Sequence, residues 1–373
     1  MKLISNIFTL FFLLTASQIQ AKDITVKNPQ ELAAAVKSAA AGDKILLQEG
    51  LYKFDASLKI SASGNENQRI FMLSDPKNSG RPVFDFSALP EGSSSNGIAL
   101  KGSYWHIKGI DVVKAGHNGL KIQGSNNIIE FCTFSQNFDT GVQLADGASN
   151  NTILNCDSFE NADSKKENAD GFAAKTDVGT GNKFIGCRAW NNMDDGWDGY
   201  LREANNISTS YENCWAFRNG LAKDGTVTGG DGNGFKTGGS DDKTLKHNAV
   251  YKNCIAAANA ADGFDHNSNR GEVTLLNCAA YGNKRNLSFS KTSPLAKLTI
   301  KNTVVVGPTG SLSADQTDIS NNSWQSGKVL SETDVKSTDI NQLLKSRKED
   351  GSLPDVDFLK PLAKSSQPSA TQN

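Results

Sequence analysis

Four aspartates and a lysine carry the chemical interest of this chain: Asp170, Asp194, Asp195, Asp198 and Lys236. Carboxylates held close together repel one another strongly unless a cation lies between them. Hard oxygen ligands in that number suit calcium, which takes about 6–8 oxygens. The run Asp194-Asp195-Gly196-Trp197-Asp198 does not follow the EF-hand pattern, so a metal here must be gripped by separate stretches of chain. Asp-Gly is also an ordinary turn dipeptide, and turn chemistry is the competing reading of Asp170 or Asp262 taken alone. That reading leaves Asp194 and Asp198 without a role. Lys236 ends the Gly-dense stretch Gly229-Gly230-Asp231-Gly232-Asn233-Gly234-Phe235-Lys236, which lacks the ending of a phosphate loop. Small residues there let a polymer come close to the backbone.

A repeat decides whether these residues can meet. Every one of the six cysteines is followed, five residues later, by an asparagine: Cys132/Asn137, Cys156/Asn161, Cys187/Asn192, Cys214/Asn219, Cys254/Asn259 and Cys278/Asn283. The local order recurs: an apolar strand, the Cys, the Asn, then a Gly followed by an apolar residue. Successive cysteines are 24, 31, 27, 40 and 24 residues apart. An irregular period of about one supersecondary unit marks a solenoid. The cysteines then form an internal column of small, free, buried hydrophobes rather than disulfides. The asparagines form a second column, whose stacked amides bond to one another and to turns.

The glycines Gly141, Gly171, Gly196, Gly234 and Gly263 set the phase of the coils. The next residue is Val142, Phe172, Trp197, Phe235 or Phe264, apolar each time and therefore inward. The one after it points outward by strand alternation: Gln143, Ala173, Asp198, Lys236 and Asp265. The residue before the Gly is Thr140, Asp170, Asp195, Asn233 or Asp262. Asp170 and Asp195 thus become vertical neighbours, flanked by Asp194 and Asp198, with Lys236 one rung beyond Asp198 and Asp265 one rung further.

The ends of the solenoid read differently. Pro29 to Ala40 is a helix with Asn28 as N-cap and Pro29 at the first position, placed to cap the open core. Strands follow at Ile45 to Leu47, Trp105 to Ile110 and Leu120 to Ile122. The rhythm is lost after Val306; Asp339 to Arg347 reads as a short helix and Gly351 to Pro361 as extended chain. Residues 1–21 read as a secretory signal: Lys2, an apolar Ile7 to Leu14, then small residues from Ala16 to Ala21. The apolar run is too short for a membrane span. Residues 22–363 form the solenoid domain, and 364–373 a disordered tail. The chain has 373 residues and balances 39 Lys+Arg against 40 Asp+Glu, a net charge of −1, so no basic excess points to nucleic acid. The expected product is secreted or periplasmic, with no membrane span, and monomeric.

At Asn168-Ala169-Asp170-Gly171-Phe172, Asn192-Met193-Asp194-Asp195-Gly196-Trp197-Asp198 and Gly232-Asn233-Gly234-Phe235-Lys236-Thr237-Gly238-Gly239, the chain resembles the pectate lyases of polysaccharide lyase family 9. The resemblance runs from about Asp23 to Pro361. It implies an all-β fold, a right-handed parallel β-helix with an N-terminal capping helix, acting on the pectic polysaccharide polygalacturonate by β-elimination with calcium. Carried over by motif, Asp170, Asp194, Asp195 and Asp198 would hold the calcium and Lys236 would be the base. The loop from Lys223 to Asp231 is where subsites would differ from relatives.

For substrate carboxylates the candidates are Arg218, Arg270 and Lys175, and His266 could line the groove. His106, His117 and His247 show no ligand spacing, which argues against zinc. Two other readings stay open on sequence. A non-catalytic β-helix, an adhesin or polysaccharide-binding module, explains the coils but not Lys236 among the acids. A pectin-active glycoside hydrolase would need two or three carboxylates and no metal.

Overall fold

The computed structural model describes residues 21–362. The expected secretory signal and C-terminal tail lie outside them, apart from Ala21. The described chain winds through three sheets of 12, 10 and 10 strands, and neighbouring strands within each are parallel. Each circuit adds one strand to each sheet. One complete circuit runs Asn182–Ile185, Arg188–Trp190, Trp197–Asp198, and the next begins at Ile207–Glu212.

Left-handed corner residues turn the chain between sheets. The residue before each cysteine and the residue before each ladder asparagine has positive φ, from 49° to 67°. Asn155, Asn191, Asn213, Asn253 and Asn277 fill five of these twelve corners, as expected of the non-glycine residue best suited to αL. Between the corners each Cys enters the core; all six are buried and free. The Asn column is a continuous ladder. The Nδ2 of Asn137, Asn161, Asn192, Asn219 and Asn259 donates to the Oδ1 of the next rung at 2.8–3.0 Å. A second ladder, Asn127–Asn151–Asn182, closes another corner and has no cysteine to announce it.

The Gly phase matches the observed register. Val142, Phe172, Trp197, Phe235 and Phe264 are cross-strand partners. The four aromatic rings stack at 4.8–4.9 Å through the core. Glycine is needed at the marker itself: a Cβ on Gly171 would sit 2.8 Å from Asn192 Nδ2 and 2.8 Å from Gly196 O. The ladder asparagine and the marker glycine therefore specify each other. Removing a ladder amide orphans several buried groups, each worth about 1–3 kcal/mol. Asn192 serves Asn161 N, Asn161 Nδ2, Asn219 Oδ1 and Ser158 O. Asn192→Ala is expected to lower stability by about 3 kcal/mol in urea unfolding; a loss under about 0.5 kcal/mol would mean the ladder is ornamental.

The helix spans Pro29–Ser38 and covers the open end with Leu32, Ala35 and Val36. Asn28 Oδ1 accepts from Glu31 N at 2.9 Å. The helix stops two residues short of the expected Ala40, because the Asp43 carboxylate takes the Ala40 N–H at 2.9 Å and holds the chain extended. The strand expected to reach Ile110 ends at Lys108, where Gly109 turns the corner at φ 78°. At the other end the rhythm does not stop at Val306. Gly310–Leu312 and Ala314–Ser320 add another strand to two sheets. Thr303 stands there where a cysteine stood before, which hid the coil from the spacing argument. Asp339 caps a 3-10 helix over Ile340–Leu344. The closing segment, residues 330–359, lays Leu330, Ile340, Leu343, Val356 and Phe358 over the outer face of the second sheet. Arg347 and Arg188 fasten it by clamping half-buried Asp157 at 2.6 and 2.7 Å. The closing segment leaves the outer face of the third sheet uncovered, and there the acids lie.

Candidate metal and base site

Asp170 and Asp195 sit on the turns that enter the third sheet, Asp198 and Lys236 on its strands. Asp195 N donates to Asp170 Oδ1 at 3.2 Å, and Asp198 pairs in register with Lys236. The expected stacking therefore holds. Asp170, Asp194 and Asp195 each present an oxygen within 4.8 Å of the others. Asp198 stands outside this triad and faces two amines: Lys175 Nζ at 3.3 Å and Lys236 Nζ at 3.8 Å. Lys175 Nζ also meets Asp170 at 2.7 Å, and Lys236 Nζ meets Asp195 at 3.2 Å and Asp231 at 2.7 Å.

Outward on the coil does not mean exposed. Ala173, Asp198 and Lys236 are all buried, at 0, 5 and 8 % exposure. The segment 221–231 folds back over them. Thr228 N bonds to Gly220 O at 3.0 Å and Asp231 N to Asp194 Oδ1 at 2.5 Å. A Cβ on Gly230 would lie 2.5 Å from Met193 O, so only glycine lets this loop press so close.

Burial sets the charge states. Burial, and then the neighbouring charges, push Asp194 up to about 8, with Asp170 its foremost like-charged neighbour. Burial raises Asp170 to about 6 against the pull of Lys175. Asp195 rises well above the carboxylate range, through burial first and Asp194 second. At Asp198 burial also pushes upward, but Lys236 and Lys175 outweigh it and hold the carboxyl below its usual value. Burial favours neutral Lys236, yet Asp195, Asp198, Asp194 and Asp231 together hold it as an ammonium well past the ordinary lysine range.

The donor set fits a divalent cation. With all four carboxylates ionised, they would exceed the two neighbouring ammonium groups by two negative charges, which a divalent cation cancels. Asp195 Oδ2 is fully buried and makes no hydrogen bond; Lys236 is near it but not aligned. Further along the same column Asp262 shows the contrast, since Arg285 closes it with two bonds at 2.6 and 2.5 Å. No such protein cation is supplied to the triad by a bidentate fork, and hard oxygens are what calcium takes.

The acids open into a cavity of about 810 Å³ lined by Lys175, Asp194, Asp198, Asp231, Lys236 and further groove residues. Of the expected carboxylate partners, Lys175 lines it but is spent on Asp170 and Asp198. Arg218 reaches Asn341 under the C-terminal segment, and Arg270 is near Asp315 at 3.8 Å. Neither lines the cavity. His266 is buried against Ser288 O and Thr292 O, so it is not a groove residue. Asp265 is in register with Lys236 on the next rung, but its Oδ2 accepts from Asn267 N at 2.8 Å, and the carboxylate partner of Lys236 on the open side is Asp231 at 2.7 Å. His117, set aside on sequence, does line the groove and pairs with Asp139 at 2.7 Å. Asp231, Tyr200, Arg202 and His117 lie in turns of variable length, where no periodic signal marks a residue.

Three parallel sheets around one core, with acids and amines on the floor of an open groove, define a parallel β-helix protein with a charged binding cleft. A family described as Pel9A-like, right handed beta helix region matches residues 12–302, and the chain belongs to it. Pectate lyase L of Dickeya chrysanthemi is 37 % identical over 343 residues, covering 88 % of this chain and 78 % of that one. The crystal structure of pectate lyase Pel9A superposes with a TM-score of 0.84 at 32 % identity, covering 93 % of this chain and 91 % of that chain. A structure titled rhamnogalacturonan lyase follows with a TM-score of 0.80 at 27 % identity, covering 91 and 97 %. The protein is a polysaccharide lyase with the right-handed parallel β-helix fold.

Proposed function

We propose that the protein is an exported, calcium-dependent pectate lyase that cleaves α-1,4-linked polygalacturonate by β-elimination. The observation that carries this reading is the meeting of Lys236 with the Asp170, Asp194 and Asp195 triad, one rung apart on an open groove. Asp170, Asp194, Asp195 and Asp198 are the residues that would hold calcium. Bound there, the ion would neutralise a substrate carboxylate and make the adjacent C5 proton more acidic. Lys236 takes that C5 proton. The C5–H electrons become the C4–C5 double bond, the C4–O bond breaks, and the departing oxygen takes its proton from water. The products are one new reducing end and one unsaturated uronide end.

Lys236 can act only as the neutral amine, and free lysine has a pKa of about 10.4. The four acids around it favour the ammonium. Cancelling their charge removes that bias and leaves burial, which favours the amine. The remaining requirement is a shortage of protons, so the rate should climb on the alkaline side. All of these residues come from one chain, which supports action as a monomer. No helix among the described residues is long and apolar enough to cross a membrane.

The test is ultraviolet absorbance from unsaturated ends when polygalacturonate and calcium are added. Absorbance is expected to grow faster at pH 9 than at pH 6 and to stop with a chelator. Saturated products, or turnover indifferent to the chelator, would move the protein to the hydrolase reading. A rate that peaks below neutrality would remove lysine as base. The similarity to the structure titled rhamnogalacturonan lyase makes a rhamnose-containing pectin the second polymer to offer.

A further inference from the structure

We propose that Arg202 determines specificity by binding a free carboxylate on a galacturonate unit next to the one being cleaved. The inference rests on the lyase reading above and concerns which polymer the groove accepts. Every other cationic side chain that lines the cavity is already engaged. Lys175 is tied to Asp170 and Asp198, Lys236 to Asp195 and Asp231, and His117 to Asp139. Arg202 lines the same cavity, is exposed, and its guanidinium has no carboxylate, carbonyl or ring partner among the described residues.

Its backbone, by contrast, is fixed. Arg202 N donates to Thr176 O at 2.9 Å, and Leu201, buried beside it, donates to Gly239 O at 2.8 Å. The chain from Asp198 to Arg202 continues along the same coil, with Leu201 bridged in parallel to Thr176. Four residues span at most about 14 Å, so the guanidinium is within reach of the polymer held at that cluster. Tyr200, between them, is held on the groove wall through its hydroxyl bond to Asp241 at 2.5 Å. A fixed backbone carrying a free planar fork is suited to a carboxylate taken by two parallel bonds. The groove is otherwise rich in acids, among them Glu91, Asp139, Asp163 and Glu167. A polyanion entering it meets repulsion everywhere except at bound cations and at Arg202. A methyl ester at that unit removes the negative charge the guanidinium pairs with, so the residue reads the degree of esterification.

The experiment compares wild type, Arg202→Ala and Arg202→Lys on polygalacturonate and on highly methyl-esterified pectin, with calcium saturating. Arg202→Ala is expected to lower kcat/KM on polygalacturonate by about 10- to 100-fold, the weight of a charge-assisted bond. The loss falls in KM, with kcat, calcium affinity and Tm kept. On the esterified polymer the variant and wild type should differ little. Arg202→Lys should fall between, since it keeps the charge and loses the fork. Equal losses on both polymers, a loss confined to kcat, or no loss at all would overturn the assignment while leaving the lyase reading intact. Wild-type protein that forms no unsaturated ends would overturn both.

Discussion

Lys236→Ala is expected to bind calcium and keep its fold while losing about 10³-fold in turnover, the middle of the range for removing a general base. The side chain contributes little apolar packing that alanine could not keep, because it stands on the outward face over the acids. Its loss does change electrostatics. Asp195, Asp198 and Asp231 lose the ammonium they share at 3.2, 3.8 and 2.7 Å. The metal-free variant should therefore melt lower than wild type, and calcium should bind at least as tightly, since a competing positive charge is gone. Titration calorimetry for calcium and ultraviolet absorbance for turnover separate the two effects. A variant that keeps more than about a tenth of the rate would remove Lys236 from the chemistry. One that loses calcium as well would make the lysine a support for the acids rather than a base.

The axial architecture was legible because it is periodic. The Cys-to-Asn interval of five residues marks the strand between two left-handed corners, and the Gly after it marks entry to the third sheet. From those two marks the vertical alignment of Asp170 with Asp195, and of Asp198 with Lys236, follows without coordinates. The same marks also bear on Arg218, a candidate for substrate carboxylates on residue type alone. It immediately precedes Asn219, so it occupies a corner and leaves toward the C-terminal segment. What the spacing could not reveal was cover. Strand alternation says which way Lys236 points, but the loop 221–231 decides that it is buried and that Asp231 meets its amine. Loop residues such as Asp231, Tyr200 and Arg202 have no positional equivalents on other rungs, so no repeat argument reaches them. The last coil was missed for the complementary reason: its geometry persists after Thr303 has replaced the cysteine that signalled it.

Asp195→Asn should move stability and calcium affinity in opposite directions. Asp195 is fully buried; Oδ1 accepts from Asn233 N at 2.7 Å and Oδ2 makes no hydrogen bond. Asparagine keeps the shape and the Oδ1 acceptor and removes the charge. In the folded metal-free protein the Asp195 carboxyl is raised well above its ordinary value, by burial and then Asp194. Its unfolded pKa is about 3.9. Between the two values the folded chain holds a proton that the unfolded chain has released. Stability therefore falls as pH rises through that window. Asp194, raised to about 8, and Asp170, raised to about 6, slope the same way. Asp195→Asn removes one of these slopes, so the metal-free variant should melt higher than wild type at pH 8 and gain less at pH 5. Calcium affinity should drop at least about 100-fold, the upper end for losing even an outer supporting group of a metal site. In wild type the ion should raise Tm more at pH 8 than at pH 5, since it competes with the protons these acids retain. Thermal unfolding at both pH values, with and without calcium, tests all of this in one set of curves. A variant less stable than wild type at pH 8 yet unchanged in calcium affinity would show that Asp195 is a buried structural acid and that the ion, if bound, is gripped elsewhere.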